Sequence, residues 1–83
     1  MNEYVIKIFW DNEAAVWCAS SDDVPGLVLE SGSFDALVER VKFTVPELLE
    51  LNSVKPSSEF CNLKFISERY DKVRLSAWVW KKS

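Results

Sequence analysis

The stretch Leu27-Val28-Leu29-Glu30-Ser31-Gly32-Ser33-Phe34-Asp35-Ala36-Leu37-Val38 decides the fold, because the spacing of its apolar residues changes halfway along. Leu27 to Ser31 is a short apolar run that follows a cluster of turn formers, which predicts a strand. From Ser33 onward Phe34, Leu37, Val38, Val41, Val45, Leu48 and Leu49 recur at intervals of three and four, the spacing of one helical face. Gly32-Ser33 supplies the break and the cap, and Asp35 puts negative charge in the first turn, where the helix dipole favours it. Pro46 has no N–H to donate and its ring clashes with the carbonyl four residues back, so a kink or a restart is expected there. Thr44 with Glu47 matches a capping box for a restarted helix ending near Asn52.

Working back towards the amino terminus, Tyr4-Val5-Ile6-Lys7-Ile8-Phe9-Trp10 is rich in β-branched and aromatic residues and ends in Asp11-Asn12-Glu13, the pattern of a strand and a turn. Residues 15–20 form the returning strand. Ser21-Asp22-Asp23-Val24-Pro25-Gly26 then stacks turn formers, with Pro25-Gly26 suited to a type II turn because Gly permits the positive φ. On the other side of the helix, residues 53–59 read as a surface loop, and residues 61–69 and 73–80 as two strands joined by Tyr70-Asp71-Lys72. The expected fold is α+β in βββαββ order, an antiparallel sheet with one kinked helix on one face, built as a single domain over residues 1–83.

Eighty-three residues of 9.6 kDa leave room for one core, and 48% hydrophobic with 28% charged residues is a globular composition. No apolar run approaches the roughly 18 to 20 residues that span a bilayer, and Met1-Asn2-Glu3-Tyr4 does not begin a signal peptide, so a cytoplasmic location is expected. The chain has no histidine, which excludes Ser-His, Cys-His and other histidine-based acid/base chemistry. Cys18 and Cys61, without a CxxC pair, are too few for structural zinc and read as free, partly buried thiols. No cofactor is expected.

Charge is unevenly spread. Residues 1–50 carry ten acids against three bases, a balance of −7, whereas residues 51–83 carry seven bases against three acids, a balance of +4. An acidic first half repels phosphate backbones and suits a cationic protein partner. Asp11 and Glu13 lie in the first hairpin turn while Asp22 and Asp23 lie beyond the second strand, roughly 20 Å away at about 3.3 Å per residue, so one two-metal cluster cannot use both pairs. Alternation puts Ile6, Ile8 and Trp10 on one side of the first strand, and Val5, Lys7 and Phe9 on the other. In the last strand Leu75, Ala77 and Val79 oppose Arg74, Ser76, Trp78 and Trp80. One helix covers one face, so large apolar residues on both faces predict a homodimer or higher oligomer, with Arg74, Trp78 and Trp80 as interface candidates. The alternative use of Trp78, Trp80, Arg74, Lys81 and Lys82 is as a stacking platform for single-stranded RNA.

The run from Trp10 through Asp23-Val24-Pro25-Gly26-Leu27 to the Gly32-Ser33 helix start, closing with Val45-Pro46-Glu47-Leu48-Leu49-Glu50, resembles the HicB-like antitoxins, in particular a single-domain bacterial branch of unassigned role. Residues 51–83 match in outline only. The resemblance implies a non-catalytic domain that assembles with itself and masks a small basic ribonuclease toxin of the HicA type. The relatives' carboxyl-terminal helix-turn-helix or ribbon-helix-helix module has no counterpart before Ser83, so direct DNA binding is not expected. If such a toxin is the partner, Glu13, Asp22, Asp23 and Glu30 are its expected electrostatic contacts.

Overall fold

A computed structural model describes residues 2–55 and 58–76. Its elements are β1 (Asn2–Asp11), β2 (Val16–Ser20), β3 (Val28–Ser31), α1 (Phe34–Leu51) and β4 (Cys61–Glu68). The four strands form a sheet in the order β3-β2-β1-β4. β1 and β2 form an antiparallel hairpin with Ile8 opposite Ala19 and Trp10 opposite Trp17, and β3 continues antiparallel beside β2. The hairpin turn is built on Asp11, whose Oδ1 accepts from the Glu13 and Ala14 N–H groups and whose carbonyl accepts from Ala15 at 2.8 Å.

β4 pairs with β1 in parallel, Ile6 opposite Phe65, so the sheet is mixed rather than antiparallel. Two antiparallel steps leave β3 running with β1, and α1 then carries the chain from the β3 edge to the opposite edge. The strand that follows therefore runs with β1 too, which a hairpin connection would have prevented. The expected fifth strand does not start at residue 73: residues 73–76 have no regular structure and are exposed, and residues 77–80 lie outside the described residues.

The helix begins as the sequence predicts. Ser33 caps it, its Oγ accepting from the Ala36 N–H at 3.2 Å. No restart occurs at Pro46, through which α1 runs unbroken. Pro46 and Lys42 are both exposed, so the carbonyl that loses its donor lies towards solvent, where water can serve it. The helix ends in a Schellman arrangement, with Val54 N–H donating to Leu49 O, Ser53 N–H to Glu50 O, and Ser53 itself at φ +56°.

Leu37, Val41, Val45 and Leu49 form the buried stripe of α1 and meet Ile6, Ile8 and Ala19 from the sheet. Val24 and Leu27 close the core between them, brought there by the β2–β3 loop. Leu27 N–H donates to Val24 O across the Pro25-Gly26 turn, and Gly26 has φ +87°, the type II geometry the dipeptide predicts. Asn52, beyond the helix end, donates to Pro25 O and ties that turn to α1. No helix among the described residues is long and apolar enough to cross a membrane.

Candidate functional site

The sheet has one face under α1 and one without a helix among the described residues. Strand register sets two rows across the uncovered face: Val28, Ser20, Lys7 and Ile66 in one, Glu30, Cys18, Phe9 and Glu68 in the next. Val28 is 82% exposed, Phe9 47% and Ile66 41%. The alternation of β1 holds, since Ile6 and Ile8 are fully buried while Lys7 and Phe9 face outward. Three large apolar side chains among charges of both signs make a surface suited to a protein partner.

Cys18 sits inside this face. Burial pushes its thiol pKa up, and the nearby carboxylates of Glu30 and Asp11 push it further, so the group stays protonated at neutral pH. Its Sγ approaches Glu30 Oε2 at 4.0 Å. Cys18 and Cys61 are both free and partly buried, as their spacing suggested. No group of three Cys, Asp or Glu side chains among the described residues is placed to hold a metal ion.

The four acids singled out as partner contacts do not form one patch. Asp22 is beside the uncovered face, its Oδ2 3.4 Å from Lys7 Nζ and its side chain 92% exposed. Glu30 stands on the face, paired in register with Cys18, and its carbonyl accepts from Arg40. Glu13 is in the β1–β2 turn, at the far end of β2 from Asp22 and Asp23. Asp23 does structural work: its Oδ2 accepts the Val5 N–H at 2.7 Å, while Ser21 Oγ donates to Val5 O at 2.6 Å. The two loop side chains thus stand in for a strand beside β1, beyond the point where β2 has ended.

A second cluster sits at the hairpin end, on the helix side of the sheet. Trp10 packs edge-on to Trp17 with centroids 5.2 Å apart, and Trp17 packs edge-on to Phe34 at 5.1 Å. Arg69, just past β4, lays its guanidinium 4.3 Å from the Trp10 ring centroid and 5.6 Å from that of Trp17. Asn12 donates to the Tyr70 carbonyl at 3.1 Å, so the chain leaving β4 is fastened at this end. Beyond it Arg74 is exposed, while Trp78 and Trp80, the other interface candidates, lie outside the described residues. Sequence reading placed Phe9 on the opposite side of β1 from Ile6, Ile8 and Trp10 but missed the Arg69 contact, whose partners are 59 and 52 residues away and carry no local signal.

A crystal structure of the hypothetical protein TTHA1013 from the extremely thermophilic bacterium Thermus thermophilus is similar, with 35% sequence identity and a TM-score of 0.66 over 89% of this chain and 100% of that one. No curated protein matches. Neither the solved structure nor the family match carries a HicB-like description. The family model is described as a domain of unknown function, DUF1902, and it matches residues 3–77; the chain belongs to that family.

Proposed function

We propose that this protein is a binding module with no reaction of its own, which joins a second copy of itself and offers its uncovered sheet face to a protein partner. The observation that supports the reading best is that face, where Phe9, Val28 and Ile66 stand exposed on rigid, hydrogen-bonded strands. A partner that covers them gains about 25 cal/mol for each Å² of apolar surface removed from water. The partner we propose is a small basic ribonuclease of the HicA type, which the HicB-like antitoxins mask. Asp22 and Glu30, at the border of the face, give such a partner acidic contacts that act chiefly on association rate. The RNA-stacking alternative rests on Trp78, Trp80, Arg74, Lys81 and Lys82, of which only Arg74, exposed, is among the described residues.

Calorimetric titration with a HicA-type ribonuclease, followed by an RNA-cleavage assay of the mixture, tests the reading. Stoichiometric binding with loss of cleavage is expected, and Phe9→Asp weakens binding by at least about tenfold, as removal of an anchor does. Undiminished cleavage with the ribonuclease unbound overturns the toxin assignment. Binding of short RNA that weakens steeply with salt would favour the alternative.

A further inference from the structure

We infer that the cleft between the end of α1 and the start of β4 binds a small organic cation, an amine carried on an apolar body. This site is separate from the uncovered face and goes beyond the protein-binding role proposed for it. The cleft follows from the reach of the helix. α1 packs over β2 and β3 and not over β4, so its C-terminal turns and the beginning of β4 stand apart on the helix side of the sheet. The space between them measures about 290 Å³, at the lower end of the range for small-molecule sites. Leu49, 7% exposed, and half-buried Cys61 are its most buried residues, with Pro46, Val54 and Phe60 around them. Phe60 is 74% exposed and Val54 39%, so an apolar body entering the cleft removes surface of both from water.

Two features make the cleft select for positive charge. Each wall carries one carboxylate, Glu50 from α1 and Glu59 from the segment before β4, both exposed. Neither is in an ion pair, since those among the described residues join Lys7 to Asp22, Lys42 to Glu39 and Arg69 to Asp71. The second feature is the helix end. The last turn of α1 holds no basic residue, so no side chain there offsets the negative end of the helix dipole, and Glu50 adds to it. Lys55, next to Val54 in the chain, is exposed and lines no part of the cleft. The Ser58 hydroxyl in the lining is engaged with Phe60, donating to its carbonyl at 2.7 Å and accepting from its N–H at 3.1 Å. A cation in the cleft therefore meets two carboxylates with no cation of their own, an anion is repelled, and a neutral apolar molecule gains burial alone.

Cys61 reports occupancy, and Cys18, on the opposite face of the sheet, is the control. The full chain is treated with methyl methanethiosulfonate, a reagent selective for thiols, and each cysteine is followed by peptide mass spectrometry. The probe is phenethylamine, which is protonated at neutral pH as lysine is. It should slow modification of Cys61 in a saturable way and leave Cys18 unchanged. Phenethyl alcohol, its neutral counterpart, should need about fivefold more for the same protection, and the anion hydrocinnamate should protect least. Glu50→Gln combined with Glu59→Gln should erase the preference for amine over alcohol, with circular dichroism unchanged. The Leu49 and Val54 methyl signals should shift in NMR with the same midpoint as the protection. Equal protection by amine and alcohol in the unaltered chain overturns the inference, as does equal slowing at both cysteines. Absence of protection together with unmoved Leu49 and Val54 signals overturns it too. Should the double variant fail to fold, the order of amine, alcohol and acid in the unaltered chain decides alone.

Discussion

At the loop between β2 and β3, both backbone groups of Val5 find partners in Ser21 and Asp23, and Val24 and Leu27 are sealed beneath α1. At the opposite edge, β4 carries Leu63 and Phe65 only half-buried, and the chain that follows it exposes Tyr70, Val73 and Leu75. The cause lies in where the one helix can reach. α1 starts beside β3 and packs over β2 and β3, so the strand added last, on the far side of β1, receives least cover. The contrast teaches that burial in this sheet follows the reach of the one helix: the strands before β4 make the core with α1, while β4 and the described chain after it carry half-buried and exposed apolar side chains. Charge follows the same division, acidic before residue 51 and basic after it.

The largest expected effects lie in the core beneath α1. Ile8→Ala removes a fully buried side chain and should cost about 3 kcal/mol in urea unfolding, whereas Leu63→Ala, half-exposed, should cost about 1 kcal/mol at low protein concentration. Equal losses at high dilution would erase the contrast.

The next effect isolates the loop. Asp23→Ala leaves the Val5 N–H without its acceptor and should destabilise by about 1 to 2 kcal/mol. Ser21→Ala removes the donor to Val5 O and the acceptor for the Asp23 and Val24 N–H groups, so its loss should be similar. Because Ser21 Oγ holds Asp23 in place, the double variant should lose less than the two singles added together, and a double-mutant cycle measures that coupling. Additive losses would mean that the two side chains act independently and do not replace a strand.

Local signals account for what the sequence made legible. The change of period at Ser33, the Ser33 cap and the Pro25-Gly26 turn each depend on residues within four positions of one another, and each is present. Alternation correctly put Ile6 and Ile8 on one side of β1 and Lys7 and Phe9 on the other, because it records the pleat; which side faces α1 came from the structure. It does not record direction, however, so β4 gave no sign of running parallel to β1. Capping-box spacing at Thr44 and Glu47 was misleading, since helix packing through Leu37, Val41, Val45 and Leu49 carried α1 across Pro46 without a break. Asp23 looked like a surface charge because its partner, Val5, is 18 residues away. Glu13, Asp22, Asp23 and Glu30 looked like a set because they share a sign, but β2 separates Glu13 from Asp22 and Asp23.

The smallest effect concerns two residues that share a conformation and differ in type. Gly26 and Ser53 both have positive φ, +87° and +56°, at the two places where the β2–β3 loop and the end of α1 meet. At Gly26 the residue suits the turn, and a Cβ there would also come within 3.4 Å of Leu48, so Gly26→Ala should cost about 1 kcal/mol. At Ser53 a side chain occupies the left-handed position that most helices of this ending give to glycine. Ser53→Gly removes a penalty of about 1 kcal/mol in the folded chain and adds some backbone freedom to the unfolded one, for a net gain of about 0.5 kcal/mol. The urea midpoint should therefore rise slightly for Ser53→Gly and fall for Gly26→Ala. Both bonds of the helix ending, Val54 to Leu49 and Ser53 to Glu50, are backbone bonds that glycine keeps. A falling midpoint for Ser53→Gly would mean that the serine side chain contributes more at this junction than its backbone strain removes.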